Sequence, residues 1–188
     1  MTMIRTILGA SLAAAVLAAA PAAAQTGETR PTLSIQGGGF MYDREGDANY
    51  AMGALRLDWP VSRYVRAEVG GSYSRPTTTM VREIDVYHTM QAYEARTNLM
   101  TATVGVQAQL PTRLASPYVG VATGLFGRFD PDGGDRFISP TQEFLAGVRV
   151  PVSQRIGVRG ELRFRFDQHH NSGTSSDLEQ TVGITVRL

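Results

Sequence analysis

The chain has 188 residues, 18 basic against 17 acidic side chains, and no cysteine. That length is about one domain's worth, the lack of cysteine excludes a disulfide framework and thiolate metal sites, and a net charge of +1 makes no case for nucleic acid. All the basic residues are arginine, which forms geometrically fixed pairs with carboxylates and suits an interior network better than a loose cationic surface.

The first segment reads as a targeting signal rather than as fold. Met1 to Arg5 is positively charged, Ile7 to Ala20 is an apolar run, and Pro21-Ala22-Ala23-Ala24 offers a small-residue cleavage site before Gln25. Charged start, apolar middle and Ala-x-Ala end make a secretory signal peptide, so residues 1–24 are expected to be removed and 25–188 to form the domain. An uncleaved anchor is the competing reading. No later run of about eighteen apolar residues exists, so any membrane span must be built from strands.

Strands are what the rest of the sequence predicts, because apolar residues recur with period two. In the first, Leu33, Ile35, Gly37, Gly39 and Met41 alternate with Ser34, Gln36, Gly38, Phe40 and Tyr42. Asp43 to Ala48 is a loop. The second, Asn49 to Trp59, sets Gly53, Leu55, Leu57 and Trp59 against Tyr50, Met52, Ala54, Arg56 and Asp58. The third, Arg63 to Ser74, sets Val65, Ala67, Val69, Gly71 and Tyr73 against Tyr64, Arg66, Glu68, Gly70 and Ser72. Residues 75–95 form the longest loop, and Val81 to Tyr87 extends the strands beyond it.

The fourth strand, Arg96 to Leu110, alternates Met100, Ala102, Val104, Val106 and Ala108 with Thr101, Thr103, Gly105, Gln107 and Gln109. The fifth, Tyr118 to Phe129, is small and apolar on both faces, which leaves its sides unassigned. Asp130 to Arg136 is a loop. The sixth, Thr141 to Val150, sets Phe144, Ala146, Val148 and Val150 against Glu143, Gly147 and Arg149. The seventh, Gln154 to Asp167, is the clearest: Ile156, Val158, Leu162, Phe164 and Phe166 oppose Arg155, Arg159, Glu161, Arg163, Arg165 and Asp167. After a polar loop from Gln168 to Asp177, the last strand carries Val182, Ile184, Val186 and Leu188 on one face.

Eight strands of this length fit tilted transmembrane strands, which need about nine to eleven residues in hydrocarbon. Tight connections at Pro60, Pro111 and Pro151 alternate with longer polar ones, the outer-membrane pattern. Two of the tight turns echo each other as Pro60-Val61-Ser62 and Pro151-Val152-Ser153. Alternation alone also suits a soluble periplasmic barrel with the charged face in water. Aromatic residues at strand ends, namely Tyr42, Trp59, Tyr73, Tyr118 and Phe166, favour the membrane.

With the signal peptide and eight strands go three stretches: Pro117-Tyr118-Val119-Gly120-Val121, Glu161-Leu162-Arg163-Phe164-Arg165-Phe166, and Val182-Gly183-Ile184-Thr185-Val186-Arg187-Leu188. Together they resemble the small outer-membrane β-barrel proteins of the opacity-protein and outer membrane protein A transmembrane-domain type. The resemblance covers the whole mature chain. It implies an all-β, eight-stranded antiparallel up-and-down transmembrane barrel in the cell outer membrane, in contact with outer-membrane lipid. It also implies that Val182, Ile184, Val186 and Leu188 are read by the barrel-assembly machinery. Such proteins usually end in an aromatic residue, most often Phe, where this chain has Leu188.

An eight-stranded barrel is just wide enough for side chains to fill its interior. The inward candidates are Arg56, Asp58, Arg66, Glu68, Glu143, Arg149, Arg155, Arg159, Glu161, Arg163, Arg165, Asp167 and Arg187. Unpaired charges there would cost several kcal/mol each, on the order of the usual desolvation penalty, so an Arg–carboxylate plug is expected. A narrow anion-favouring pore is the alternative. The expected role is non-enzymatic, structural or surface-interactive, with loops including 75–95 as the contact surface for a ligand. No cofactor is implied.

One cluster competes with that reading. His170-x-Ser172 with downstream Glu179 resembles the His-x-Ser and Glu of the outer-membrane lipid A deacylases, which implies a Ser172 nucleophile, a His170 base and an orienting Glu179. Here Gly173 follows where that family has Asn, and Glu179 lies on the polar parity of its strand. His169 and His170 point to opposite faces of a strand and His88 lies in another loop, so metal binding is not expected. Asp130 to Asp135 lacks the later Glu of a calcium loop and reads as a solvated turn.

Overall fold

The computed structural model describes residues 30–41, 49–83, 90–112, 114–129, 136–169 and 173–188. The expected signal peptide, Tyr42 with the 43–48 loop, His88, residues 130–135, and both His170 and Ser172 lie outside the described residues.

Eight strands form a closed antiparallel barrel: β1 (Thr32–Met41), β2 (Asn49–Pro60), β3 (Val65–Ser74), β6 (Asn98–Gln109), β7 (Ser116–Phe129), β8 (Arg136–Pro151), β9 (Ile156–His169) and β10 (Gly173–Arg187). Each pairs with its neighbour in the chain order of the wall, and β1 pairs with β10 to shut it. Closure runs over ten residue pairs, from Thr32 opposite Arg187 to Met41 opposite Leu178. Beyond them the amide of Leu188 donates to the carbonyl of Pro31 at 2.9 Å.

The register fixes the geometry of the barrel. A trip around the wall from Arg187 passes Thr32, Asp58, Glu68, Gly105, Ala122, Glu143 and Arg165 and returns to β10 at Asp177. The return lies ten residues from the start. With strands about 4.8 Å apart and a rise of about 3.3 Å per residue, eight strands with that stagger tilt by about 40°. A tilt of this size fits membrane barrels, and the same register carries the charged residues from one end of the lumen to the other.

The interior is polar and the wall is greasy. Among the described residues, 22 polar or charged side chains are buried against nine apolar or aromatic ones. Ile35, Leu55, Val119, Ile138, Phe144, Val182 and Ile184 meanwhile stand more than half exposed on the outer face. In water this arrangement would leave a large apolar surface uncovered, which stable soluble monomers avoid; in lipid it is what a barrel requires. The soluble-barrel alternative therefore fails on orientation: the face carrying Arg and Glu is inside.

The tight turns follow from local sequence. In both Pro-Val-Ser connections a serine hydroxyl accepts from two amides ahead of it. Ser62 Oγ takes Tyr64 N at 3.2 Å and Val65 N at 3.1 Å, and Ser153 Oγ takes Arg155 N at 3.3 Å and Ile156 N at 3.0 Å. Thr112 Oγ1 caps the third turn, accepting from Ala115 N at 3.1 Å. Short hydroxyl residues do this at turns generally.

At the other end the strands run further than the sequence suggested. The expected loop 75–95 is largely a hairpin of β4 (Thr77–Glu83) and β5 (Met90–Arg96). It continues the β3–β6 ladder in the same register, since Ser74 faces Leu99 and Thr77 faces Arg96. Pro76 interrupts it: proline has no N–H to give, and only its carbonyl takes part, accepting from Thr97 N at 3.1 Å. Seven residues per strand carry this hairpin about 20 Å from the barrel wall. β8 likewise begins at Arg136 rather than Thr141. The segment 168–177, expected as a loop, is mostly strand, with His169 opposite Gly173.

Candidate functional site

Inward residues of β2, β3, β6, β7, β8, β9 and β10 converge on one network in the lumen. Its centre is Arg163 on β9, almost fully buried. Its Nε donates to Glu161 Oε1 at 2.6 Å, its Nη1 to Glu143 Oε2 at 2.8 Å, and its Nη2 to Glu68 Oε1. Arg159, four residues earlier and so on the same face, reaches across the lumen. Its Nη1 donates to Asp58 Oδ2 at 3.1 Å, its Nη2 to Glu68 Oε2 at 2.5 Å and to Glu161, and its Nε to the Tyr118 hydroxyl at 2.7 Å. Arg165 continues the row, donating to Glu143 Oε1 at 3.3 Å and to Glu179. Arg56 donates to Glu179 Oε2 at 3.2 Å. Buried ions survive only when paired and hydrogen-bonded, and each carboxylate here meets at least one guanidinium.

Glycines make room for these side chains. A Cβ on Gly70 would stand 2.4 Å from Arg56 Cδ, and one on Gly147 would stand 2.4 Å from the Tyr118 hydroxyl. Both glycines pair in register with the residue that lies across them. Close approach of this kind is a reason for glycine inside a strand.

The lumen is layered. Toward the long-connection end the charges give way to an apolar cluster of Phe40, Met52, Ala54, Leu99 and Phe126. The Arg165 guanidinium lies 5.1 Å from both the Phe40 and the Phe126 ring centroids. The cavity between this cluster and the Arg165–Glu179 pair holds about 10 Å³, the space of one water. At the tight-turn end lies a wider cavity of about 270 Å³.

Three comparisons bear on this architecture. No family model matches the sequence, and no curated protein matches it. Among solved structures, neisserial surface protein A matches with a TM-score of 0.61 at 14% identity, over 86% of this chain and 97% of that one. The chain has the fold of a small eight-stranded outer-membrane β-barrel. The N-terminal barrel domain of Pseudomonas aeruginosa OprF is also similar, with a TM-score of 0.47 at 14% identity over 84% of this chain and 97% of that one. The attachment invasion locus protein Ail of Yersinia pestis gives 0.43 at 12%, over 86% and 99%.

Most of the residues expected inside this outer-membrane barrel are found there. Arg56, Asp58, Arg66, Glu68, Glu143, Arg159, Glu161, Arg163 and Arg165 are buried, and Arg149 is half-buried. Three expectations fail. Arg187 has the inward parity but sits at the last turn of the wall, so its side chain is exposed at the barrel mouth. Tyr118 is not an interface aromatic: it points inward, 3% exposed, and donates to Glu161 Oε2 at 2.7 Å. Arg155 is exposed on its turn. The outward row of Val182, Ile184, Val186 and Leu188 is exposed on the outer face, as expected from parity.

Three members of the network escaped the sequence reading. Gln107 donates to Glu68 Oε2 at 2.5 Å and accepts from Arg149. Asp177 lies 3.7 Å from Arg165. Glu179 receives Arg56, Arg165 and the Ser72 hydroxyl, the last at 2.9 Å. Parity placed Glu179 on the polar face of its strand, and that signal suffices to find it. The same bonds remove it from the hydrolase constellation, because its carboxylate is committed inside the lumen.

Proposed function

We propose that this chain is an integral protein of the bacterial outer membrane with a structural and surface-interaction role, its lumen closed by an Arg–carboxylate plug. The observation that carries the plug is Arg163, with one guanidinium on three carboxylates from β3, β8 and β9. A hydrated pore would have to break that cluster, and the narrow anion pore is the weaker reading for this reason. The role is non-enzymatic. The resemblance to lipid A deacylases needs Glu179 beside His170, whereas Arg56 and Arg165 hold that carboxylate inside the barrel.

The surface for contact is the β4–β5 hairpin, which projects beyond the wall on the side of the longer connections. That side faces outward in barrels of this kind. The wall meets outer-membrane lipid, and the row ending in Leu188 meets the assembly machinery. Two experiments test the proposal. Heat-modifiable migration in outer-membrane fractions supports it, and extraction by alkali sinks it. In planar bilayers the expected record is silent; stable single-channel steps would replace the plug with the pore.

A further inference from the structure

Two arginines on the outer face, at the long-connection end, take no part in the plug. Arg75 follows the last residue of β3, Arg96 is the last residue of β5, and both are exposed. Arg96 pairs with Thr77, two residues beyond Arg75 on the same face, so the two are diagonal neighbours with Cα atoms about 7–8 Å apart. Among the described residues neither side chain makes an ion pair or a hydrogen bond. Arg75 lies ten residues along the chain from Val65 at the other end of β3. At about 3.3 Å per residue and a tilt of about 40°, that is about 25 Å along the axis, the height of the apolar band. The pair therefore stands where lipid headgroups begin.

Below Arg75 the wall is hollow. A concavity of about 560 Å³ there has Ala51, Gly53, Tyr73, Arg75 and Thr77 as its outward lining. Register extends its floor, since Gly53 faces Gly37 and Ala51 faces Gly39. Tyr73 on β3, opposite Gly53, is one bank, and Gln180 on β10, opposite Gly39, is the other. Three strand spacings separate the banks, about 14 Å, which is room for more than one acyl chain abreast. The wall itself does not demand glycine on this floor. At most described glycines a Cβ would come within 3.0 Å of another atom, but at Gly37 and Gly53 the nearest atom stands 3.8 and 4.0 Å away, and at Gly39 nothing lies within 4 Å. Glycine weakens a strand, and here it leaves open space on the outer face. Gln180 adds an exposed amide to the same surface, where a polar group without a partner is costly in lipid.

We propose that this trough holds a phosphorylated, multiply acylated glycolipid of the outer leaflet. Its phosphate sits between Arg75 and Arg96, guanidinium against oxyanion. Its acyl chains lie along the floor of Ala51, Gly53, Gly37 and Gly39, and Gln180 meets a polar group of the acyl linkage. The paired cations select an anionic head, and the width of the floor selects more than one chain. A second barrel docked on this face by two-fold symmetry would set its own arginines against the pair, so charge favours the lipid over a copy of the chain. The inference rests on the outer-membrane reading above, with the longer connections outward.

The test refolds the mature protein in zwitterionic micelles and titrates it with diphosphorylated lipid A and with the same glycolipid stripped of phosphate. Native mass spectrometry reads the lipid retained per barrel. One diphosphorylated molecule should be retained saturably, at least about tenfold more tightly than the stripped form, the scale of charge-assisted bonds. Arg75→Gln/Arg96→Gln should lose about tenfold in retention. Gly53→Leu fills the floor and should weaken retention as well; its Cβ meets only the Gln36 carbonyl oxygen, at 4.0 Å, so the wall accepts it. Arg63→Gln, at the tight-turn end and stacked on Tyr64 at 5.5 Å, should retain lipid like the parent. Heat-modifiable migration, measured on every variant, confirms folding and keeps the two readings apart. A parent barrel that passes it and retains no glycolipid overturns the trough alone; one that fails it overturns the outer-membrane reading and the trough together. Equal retention of the two lipids, parent-like retention by either trough variant, or a lipid-free dimer also overturns the proposal.

Discussion

Replacing Arg163 by Met keeps the length of the side chain and removes the charge at the centre of the lumen. Three carboxylates lose a donor at once, but none is stranded. Glu68 keeps Arg159 and Gln107, Glu161 keeps Arg159 and Tyr118, and Glu143 keeps Arg165 at 3.3 Å. The cost is therefore that of one broken buried pair rather than three, about 3–5 kcal/mol. It should appear as a lower urea midpoint with unchanged slope for protein refolded in micelles. Trp59, the only tryptophan, reports it by fluorescence. Adding Glu143→Gln removes the carboxylate left with Arg165 alone, so the double variant should lose less than the two singles summed. The expected coupling is about 0.5–3 kcal/mol. A loss under about 1 kcal/mol for Arg163→Met, as exposed ion pairs give, would refute the reading of Arg163 as the keystone of a dry network.

Other perturbations probe other parts of the structure. Leu55→Arg puts a charge on the lipid face and should cost about 2–4 kcal/mol at the bilayer midplane, read from the same urea titration; a barrel in water would scarcely notice. Gly147→Ala drives a Cβ into the Tyr118 hydroxyl and the Gly160 carbonyl, the latter at 2.6 Å. About 1–3 kcal/mol should be lost. Tyr118→Phe removes the hydroxyl between Arg159 and Glu161 and should cost about 1–3 kcal/mol, again measured by urea unfolding. Deleting residues 182–188 removes the lower half of the β1–β10 seam and should abolish heat-modifiable migration, whereas Leu188→Phe should keep or improve assembly yield.

The number of barrel strands and the facing of most of them were legible because a period of two maps directly onto the two sides of a wall. β9 is the extreme case, with Arg, Glu, Arg and Arg against Val, Leu, Phe and Phe. Facing was illegible on β7, where both sides carry small apolar residues. There Tyr118, Ala122 and Phe126 turn inward and Val119 and Leu125 outward, a choice made by partners such as Gly147 and Glu161 on other strands. Parity also says nothing of depth. Arg187 and Arg165 share a parity, yet the stagger of ten residues sets them at opposite heights of the lumen. Polar composition misled at 75–95 and 168–177, where the described residues lie mostly in paired strands that satisfy their own backbone without an apolar face. Which carboxylate meets which guanidinium depends on contacts across the lumen, and no local pattern records those.

The chain has no cysteine, so single-cysteine spin labelling is clean. It tests the inside-out orientation most directly. Labels placed at Val158, Leu162, Phe164 and Phe166 of β9, in protein reconstituted in lipid vesicles, should collide freely with oxygen dissolved in the bilayer. They should be shielded from a water-soluble nickel reagent, most strongly at the middle positions. If those labels are instead screened from both reagents, the aliphatic face of β9 is the core of the molecule and the charged face its surface. In that case the membrane barrel, with the plug inside it, is wrong.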